Sequence, residues 1–388
     1  MKKRMVRILS VLAAVILAGS IVWGLSFAGK KTEGPIETVL VKASDAIQTV
    51  ENTVIVEQRT EKRSDKLAWL KPYKSNKNLL LNPKKILFGA FDNEAVESFQ
   101  SIIDLEDTLH TTFPLMQIYA AWGSKDDEVF PKLKVKAIEE LGSVPVITWE
   151  PWLSDFDGEK YPALRPAKER DKNGMADVAN GLYDDYIKTW ATAAAENKHL
   201  IFLRIGHEMN DPYRYPWGPQ NNAPQDFVNA WRHIHDLFKA AGAKNIIWVW
   251  SPHPAYGLFD IYYPGNDYVD YVGVGILNYG TVATWSQWWS FDDIFGKHYT
   301  ELSAFKKPIM ITEFGSLSVG GKRNQWYNNA LAQLPQKYPL VKSILFFHFS
   351  HDNTTTQQTL DWYVIDDKPT AAAIKNSISN WPDSLKGK

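Results

Sequence analysis

From residue 86 the chain alternates eight short apolar runs with longer amphipathic stretches, and that alternation leaves few folds open. The runs are Ile86–Phe91, Leu115–Ala120, Val144–Thr148, Ile201–Ile205, Ile246–Trp250, Tyr271–Gly275, Ile309–Thr312 and Ile344–Phe349. Each is often β-branched and continuous rather than alternating, as expected of a parallel strand buried on both faces. Between them lie helix candidates such as Tyr183–Glu196 and Phe227–Ala241. Eight such β–α units predict an α/β chain folded as a (β/α)8 TIM barrel. A doubly wound sheet is the competing arrangement. It would need a Gly-rich phosphate loop after the first strand, where Gly89-Ala90-Phe91-Asp92 stands alone.

With 388 residues, 45% of them apolar, the chain can build one large barrel with extras. Aromatics reach 13%, including 16 Trp and 17 Tyr. They serve either as core filler or as the flat walls of a sugar-binding groove. A formal net charge of −1 gives no electrostatic reason to expect nucleic acid as a partner. With no Cys, disulfides, thiolate ligands and a Cys nucleophile are excluded.

The N-terminus points outside the cytosol. Lys2, Lys3, Arg4 and Arg7 precede an uncharged run over residues 8–28. About 20 apolar residues can span a bilayer, with the basic cluster kept inside. Residues 1–29 are therefore expected to be a signal-anchor, leaving the rest of the chain exported. The rival is a cleaved signal peptide ending near Ser26-Phe27-Ala28. Residues 30–81, mixed and charged, are expected to be a stalk, and residues 82–384 the barrel.

Active sites of such barrels lie at the C-terminal strand ends. In order, those ends carry Asp92, Trp122, Trp149 with Glu150, His207 with Glu208, Trp250, Asn278 with Tyr279, Glu313, and His348. A lone strand-end glutamate is commonly a salt-bridge partner. Two of them, on the fourth and seventh strands, are the minimal equipment for breaking a glycosidic bond by general acid and nucleophile. His207-Glu208 lacks a second His four residues on, since Asp211 stands there, so the metalloprotease pattern is absent. His253, His298, His348 and His351 show no ligand spacing, and no catalytic metal is expected. Gly315-Ser316-Leu317 is not a glycine-flanked nucleophile elbow.

The segment Arg204-Ile205-Gly206-His207-Glu208-Met209-Asn210, followed by Tyr215-Pro216-Trp217-Gly218, resembles the fourth-strand signature of glycoside hydrolase family 26. This is the β-mannanase family within the clan of retaining barrel glycosidases. Ile147-Thr148-Trp149-Glu150-Pro151-Trp152, Trp248-Val249-Trp250-Ser251-Pro252, Tyr263–Asp270 and Thr312-Glu313-Phe314-Gly315 are similar too. The resemblance covers roughly residues 82 to 384. It implies Glu208 as general acid/base, Glu313 as nucleophile, and His207 in the substrate site. It implies Trp217 as an aromatic platform beside the scissile bond, and Asn210 and Arg204 as supports. Arg204 has an equally plain reading as a structural ion pair within the barrel. Trp149, Glu150, Trp250, Tyr279 and His348 complete the expected substrate-binding ring.

One departure stands out. Family members usually carry a tyrosine at the end of strand six that hydrogen-bonds the nucleophile. Here Leu277 stands in that column, with Tyr279 two residues on as either its replacement or a packing residue. The sequence expectation is a monomeric, cofactor-free endo-β-glycanase acting on β-1,4-mannan or a related β-glycan. Mixed-linkage β-glucan and a host exopolysaccharide are alternative substrates, and a polysaccharide synthase is a candidate partner of an anchored member. The rival readings are a transglycosylase and a carbohydrate-binding degenerate barrel.

Overall fold

The computed structural model describes residues 35–96, 98–123, 128–283, 286–353 and 358–386, with side chains from residue 48. The chain divides into two units, residues 1–47 and Gln48–Lys388. The expected membrane segment lies outside the described residues. Among the described residues no helix is long and apolar enough to cross a membrane.

Eight parallel strands close into a barrel in chain order. They are β1 (Leu87–Asp92), β2 (Leu115–Ala121), β3 (Val144–Glu150), β4 (Ile201–Ile205), β5 (Ile246–Trp250), β6 (Tyr271–Asn278), β7 (Ile309–Ser316) and β8 (Val341–His348). Each apolar run of the sequence coincides with one of them. Preceding the barrel are α1 (Pro35–Lys66) and α2 (Lys77–Leu81). After the successive strands come α3 (Gln100–Leu109), α4 (Lys132–Glu140), α5 (Gly174–Ala179) with α6 (Asp184–Ala195), and α7 (Pro224–Ala240). The ring closes with α8 (Phe259–Tyr262), α9 (Phe291–Ser303), α10 (Arg323–Lys337) and α11 (Lys368–Ser379).

Strand side chains alternate between two cores. Leu87, Leu115, Val144, Val146, Phe202, Ile247, Val249, Tyr271, Met310 and Leu345 turn inward and fill the barrel. Their neighbours turn outward against the helices, so both faces are apolar and the runs are continuous in sequence.

The expected stalk is partly a floor. Leu67, Leu70 and Leu80 are buried with the inward-facing residues at the N-terminal strand ends. The Tyr271 hydroxyl donates to Leu80 O at 2.5 Å, and Leu200 N–H to Lys74 O at 2.9 Å. Arg63 of α1 is buried, pairs with Glu106 and donates to Leu141 O at 2.8 Å and Ser143 Oγ at 2.7 Å. Charged letters in residues 48–81 concealed this packing, because one face of α1 is solvated while a single arginine anchors the other.

A break in register sets the direction of Glu313. Between β6 and β7, Val274 pairs with Ile311 but Gly275 pairs with Glu313, so Thr312 is an extra residue on β7. A bulge of this kind re-aims side chains. Thr312 and Glu313 both reach Arg204 inside the barrel, while Phe314 returns to the outer core.

Candidate active site

Glu313 sits near the C-terminal end of β7, 6% exposed. Its Oε1 accepts from Arg204 Nη2 at 2.7 Å and from the Tyr119 hydroxyl at 2.8 Å. Arg204, on β4, also donates from Nε to Thr148 Oγ1, from Nη1 to Thr312 Oγ1 and from Nη2 to Tyr119, each at 2.8–2.9 Å. A guanidinium with partners on three other strands is both structural brace and counter-ion, which unites the two sequence readings of Arg204. Burial pushes the Glu313 carboxyl up. The charge and hydrogen bond of Arg204, with that of Tyr119, outweigh it and hold the group below the usual carboxylate range.

Glu208 lies just past β4, in a left-handed backbone conformation with φ of 54°. That costs a non-glycine residue ~1–2 kcal/mol. The conformation is held by the Glu208 N–H donating to Ser251 O at 2.7 Å and by Asp211 N–H donating to Glu208 O at 2.9 Å. Asn210 braces the same loop, donating to His253 O and Gly257 O and accepting from His253 N–H. Glu208 is 6% exposed, and its Oε2 accepts no hydrogen bond. Burial, with Glu313 and Asp211 nearby, pushes its carboxyl up to about 8, against the opposing pull of Arg214 and Arg204.

The two carboxylates face one another across β6. A Cβ on Gly275 would lie 3.5 Å from Glu208 Oε1 and 3.6 Å from Glu313 Oε2. The two oxygens are therefore at most about 7 Å apart, a bound that admits the roughly 5–5.5 Å carboxyl separation of retaining glycosidases.

Around this pair lie His207 and Glu150. His207 is buried, with Nε2 2.9 Å from the Tyr215 hydroxyl and Nδ1 3.8 Å from Glu150 Oε1. Burial and nearby Arg204 lower its pKa well below the ordinary value, so the imidazole is neutral. Glu150 turns inward at the end of β3, accepts from Trp152 Nε1 at 3.0 Å, and is pushed up to about 7 by burial.

Four expected site members, Trp149, Trp250, Trp217 and His348, are packed into the surrounding structure instead. Trp149 and Trp250 fall on outward-facing strand positions. Trp149 stacks on Trp190 at 4.3 Å, and Trp250 packs on Tyr263 and Phe305. Trp217 is 1% exposed, stacked on Tyr215 and donating to His207 O at 2.7 Å. It scaffolds the loop rather than offering a face to sugar. His348 is buried, donates from Nδ1 to Asp92 at 2.5 Å and stacks on Tyr363. Tyr279 packs edge-on against Trp362 at 5.0 Å and lies within electrostatic reach of Arg214, beside Glu208.

Several residues escaped the sequence reading. Tyr119 follows Leu115 and Gln117 at two-residue spacing, so strand parity could have aimed it inward. Arg214, 3.7 Å from Glu208 Oε2, and the exposed Tyr213 and Tyr256, whose rings lie 5.9 Å apart, sit in loops with no strand parity to read. Among the described residues, Glu208, Asp211 and His253 could gather ligand atoms within 4.8 Å for a cation. The Arg214 guanidinium at Glu208 opposes one there.

Residues 171–340, which contain Arg204, Glu208 and Glu313, match glycosyl hydrolase family 26. The chain is 32% identical over 251 residues to Endoglucanase H of Acetivibrio thermocellus, covering 62% of this chain and 25% of that protein. It is 26% identical over 187 residues to a mannan endo-1,4-beta-mannosidase of Bacillus subtilis, covering 46% of this chain and 44% of that one. The chain thus spans less than half the length of these relatives. A family 26 beta-mannanase of Bacteroides ovatus has the same fold, with a TM-score of 0.56 and 16% identity over 85% of this chain and 93% of that one.

Proposed function

Taking this chain as a glycosyl hydrolase family 26 protein through its barrel, we propose that it is a retaining endo-β-glycanase hydrolysing β-1,4-mannan or a related β-linked polysaccharide. One observation carries the reading. Two buried carboxyls share a site, and their surroundings drive them in opposite directions, Glu208 up to about 8 and Glu313 below its ordinary value. Near neutral pH this leaves one protonated acid and one ionised nucleophile, the division of labour that double displacement needs.

Glu313 attacks the anomeric carbon as Glu208 protonates the departing glycosidic oxygen. The product of that step is a glycosyl ester of Glu313. Its formation removes a negative charge from beside Glu208, whose pKa falls. Glu208 then takes a proton from the water that cleaves the ester, and the β-configuration is retained. Arg204 holds Glu313 in place, and His207 and Glu150 offer polar atoms to sugar hydroxyls. Tyr213 and Tyr256 flank the acid, so they belong to the leaving-group side of the cleft.

A β-glucan backbone is the second reading. The relative at 32% identity is named an endoglucanase, and Leu277 departs from the strand-six tyrosine usual in the family. Catalysis outside the membrane is proposed from the basic cluster and uncharged run at residues 2–28. Membrane fractionation with external protease tests it, and a soluble exported protein beginning near Gly29 would refute the anchor.

Reducing-end release by the full chain from mannan, mixed-linkage glucan and xylan, with NMR of the first-formed anomer, tests the function. A β-anomer from mannan or glucan is expected. An α-anomer, or no release from any polymer, would refute it.

A further inference from the structure

We propose that Tyr119 of β2 is the positioning residue for the nucleophile: together with Arg204 it saturates Glu313 Oε1 and leaves Oε2 to attack. The inference rests on the glycosidase reading of Glu313.

The hydrogen-bond polarity is unambiguous. Arginine only donates, and Arg204 Nη2 lies 2.8 Å from the Tyr119 hydroxyl oxygen. That oxygen therefore accepts from Arg204, and its own proton is free to go to Glu313 Oε1 at 2.8 Å. Arg204 Nη2 donates to the same Oε1 at 2.7 Å. The three groups close a ring in which Oε1 receives two donors. Oε2 faces the opposite way, toward Gly275 and Glu208. Gly275 is the β6 residue paired with Glu313, so no side chain of that residue covers Oε2.

The Tyr119 ring is fixed independently of its hydroxyl. It meets Phe91 edge-on at 4.6 Å and His207 at 6.1 Å, with the Arg204 guanidinium 5.6 Å from its centroid. Burial and the neighbouring Glu313 charge raise the phenol's pKa well above its ordinary value, so it remains a donor wherever the enzyme works.

The strand-six column supplies no such donor at Leu277. That side chain packs over Gly315, where an added Cβ would lie 3.1 Å from Leu277 Cδ2. A phenol that reaches the nucleophile comes from β2. No reading confined to strand six could locate it.

The test is Tyr119→Phe in the full chain, which keeps the ring and deletes the donor. Loss of a hydrogen bond to a charged group predicts a roughly ten- to a hundredfold fall in kcat with KM little changed. The ionised form of Glu313 loses support, so the acid limb of kcat/KM moves to higher pH. A tyrosine that merely packs would leave that limb in place. Incorporation of 3-fluorotyrosine at position 119 is the second probe. It preserves shape and strengthens the donor, so the acid limb moves to lower pH, and it remains readable if the Phe variant fails to fold. An unmoved limb in a folded variant overturns the proposal. If that result accompanies an inactive Glu313→Ala, the glycosidase reading survives alone. If the wild-type chain releases no reducing ends from any polymer, both fall.

Discussion

Removing the charge of Arg214 should move the alkaline limb of activity upward by about one pH unit. Arg214 Nη1 lies 3.7 Å from Glu208 Oε2. Burial pushes the Glu208 carboxyl up to about 8, and Arg214 is the strongest influence in the other direction. A cation beside a carboxyl favours the ionised form, so its removal favours the proton and raises the pKa. At about 4 Å a unit charge pair is worth about 1 kcal/mol in water and about 4 kcal/mol at an effective dielectric constant of 20. The Arg214 side chain is 27% exposed, which places the pair in the lower half of that range. One pKa unit corresponds to about 1.4 kcal/mol, so the limb should rise from about 8 toward 9. Arg214→Gln is the suitable change, because it keeps part of the stem near the Tyr215 ring, 5.2 Å from the guanidinium. The assay is kcat/KM against pH on a soluble β-glycan, read by reducing-end release. An alkaline limb that stays in place or moves down would show that Glu208 is not the group that must remain protonated.

Three further outcomes follow from the same geometry. Glu313→Ala should lose turnover and be rescued by azide as an α-glycosyl azide, whereas Glu208→Ala should keep activity on substrates with good leaving groups and give the β-azide; exchanged products would reverse the roles. Glu208→Gln should raise the thermal midpoint relative to wild type above pH 8 but not near pH 4. The folded carboxyl titrates at about 8, so the folded state holds that proton between the ordinary and the raised pKa, and wild-type stability falls as pH rises through this window; a pH-independent difference between the two proteins would contradict it. Arg63→Ala should leave Glu106 buried and unpaired. At about 3–5 kcal/mol the midpoint should drop by roughly 4–7 °C, and a shift of under about 2 °C would make the end of α1 peripheral to the fold.

How much of this was legible in the letters can be followed residue by residue. The eight apolar runs were readable because a parallel strand buried on both faces has no polar positions to interrupt it. Glu208 and Glu313 stood out because a charged letter within three residues of the end of such a run lies near a strand end. Strand-end position alone does not say which way a side chain points. Trp149 and Trp250 share their ends with Glu150 and Ser251, and alternation sends the tryptophans to the helices.

By itself, then, the chain's pattern determined the barrel and singled out the strand ends and the two carboxylates proposed to carry the chemistry, all of which depend on local order along single strands. Tertiary structure alone decided how those carboxylates differ. The bulge at Thr312 turns Glu313 toward Arg204, Tyr119 arrives from β2, and Arg214 from a loop, each brought there by closure of the barrel. Burial raises the energy of any charge, and only groups distant in sequence but adjacent in space determine which carboxyl keeps its proton.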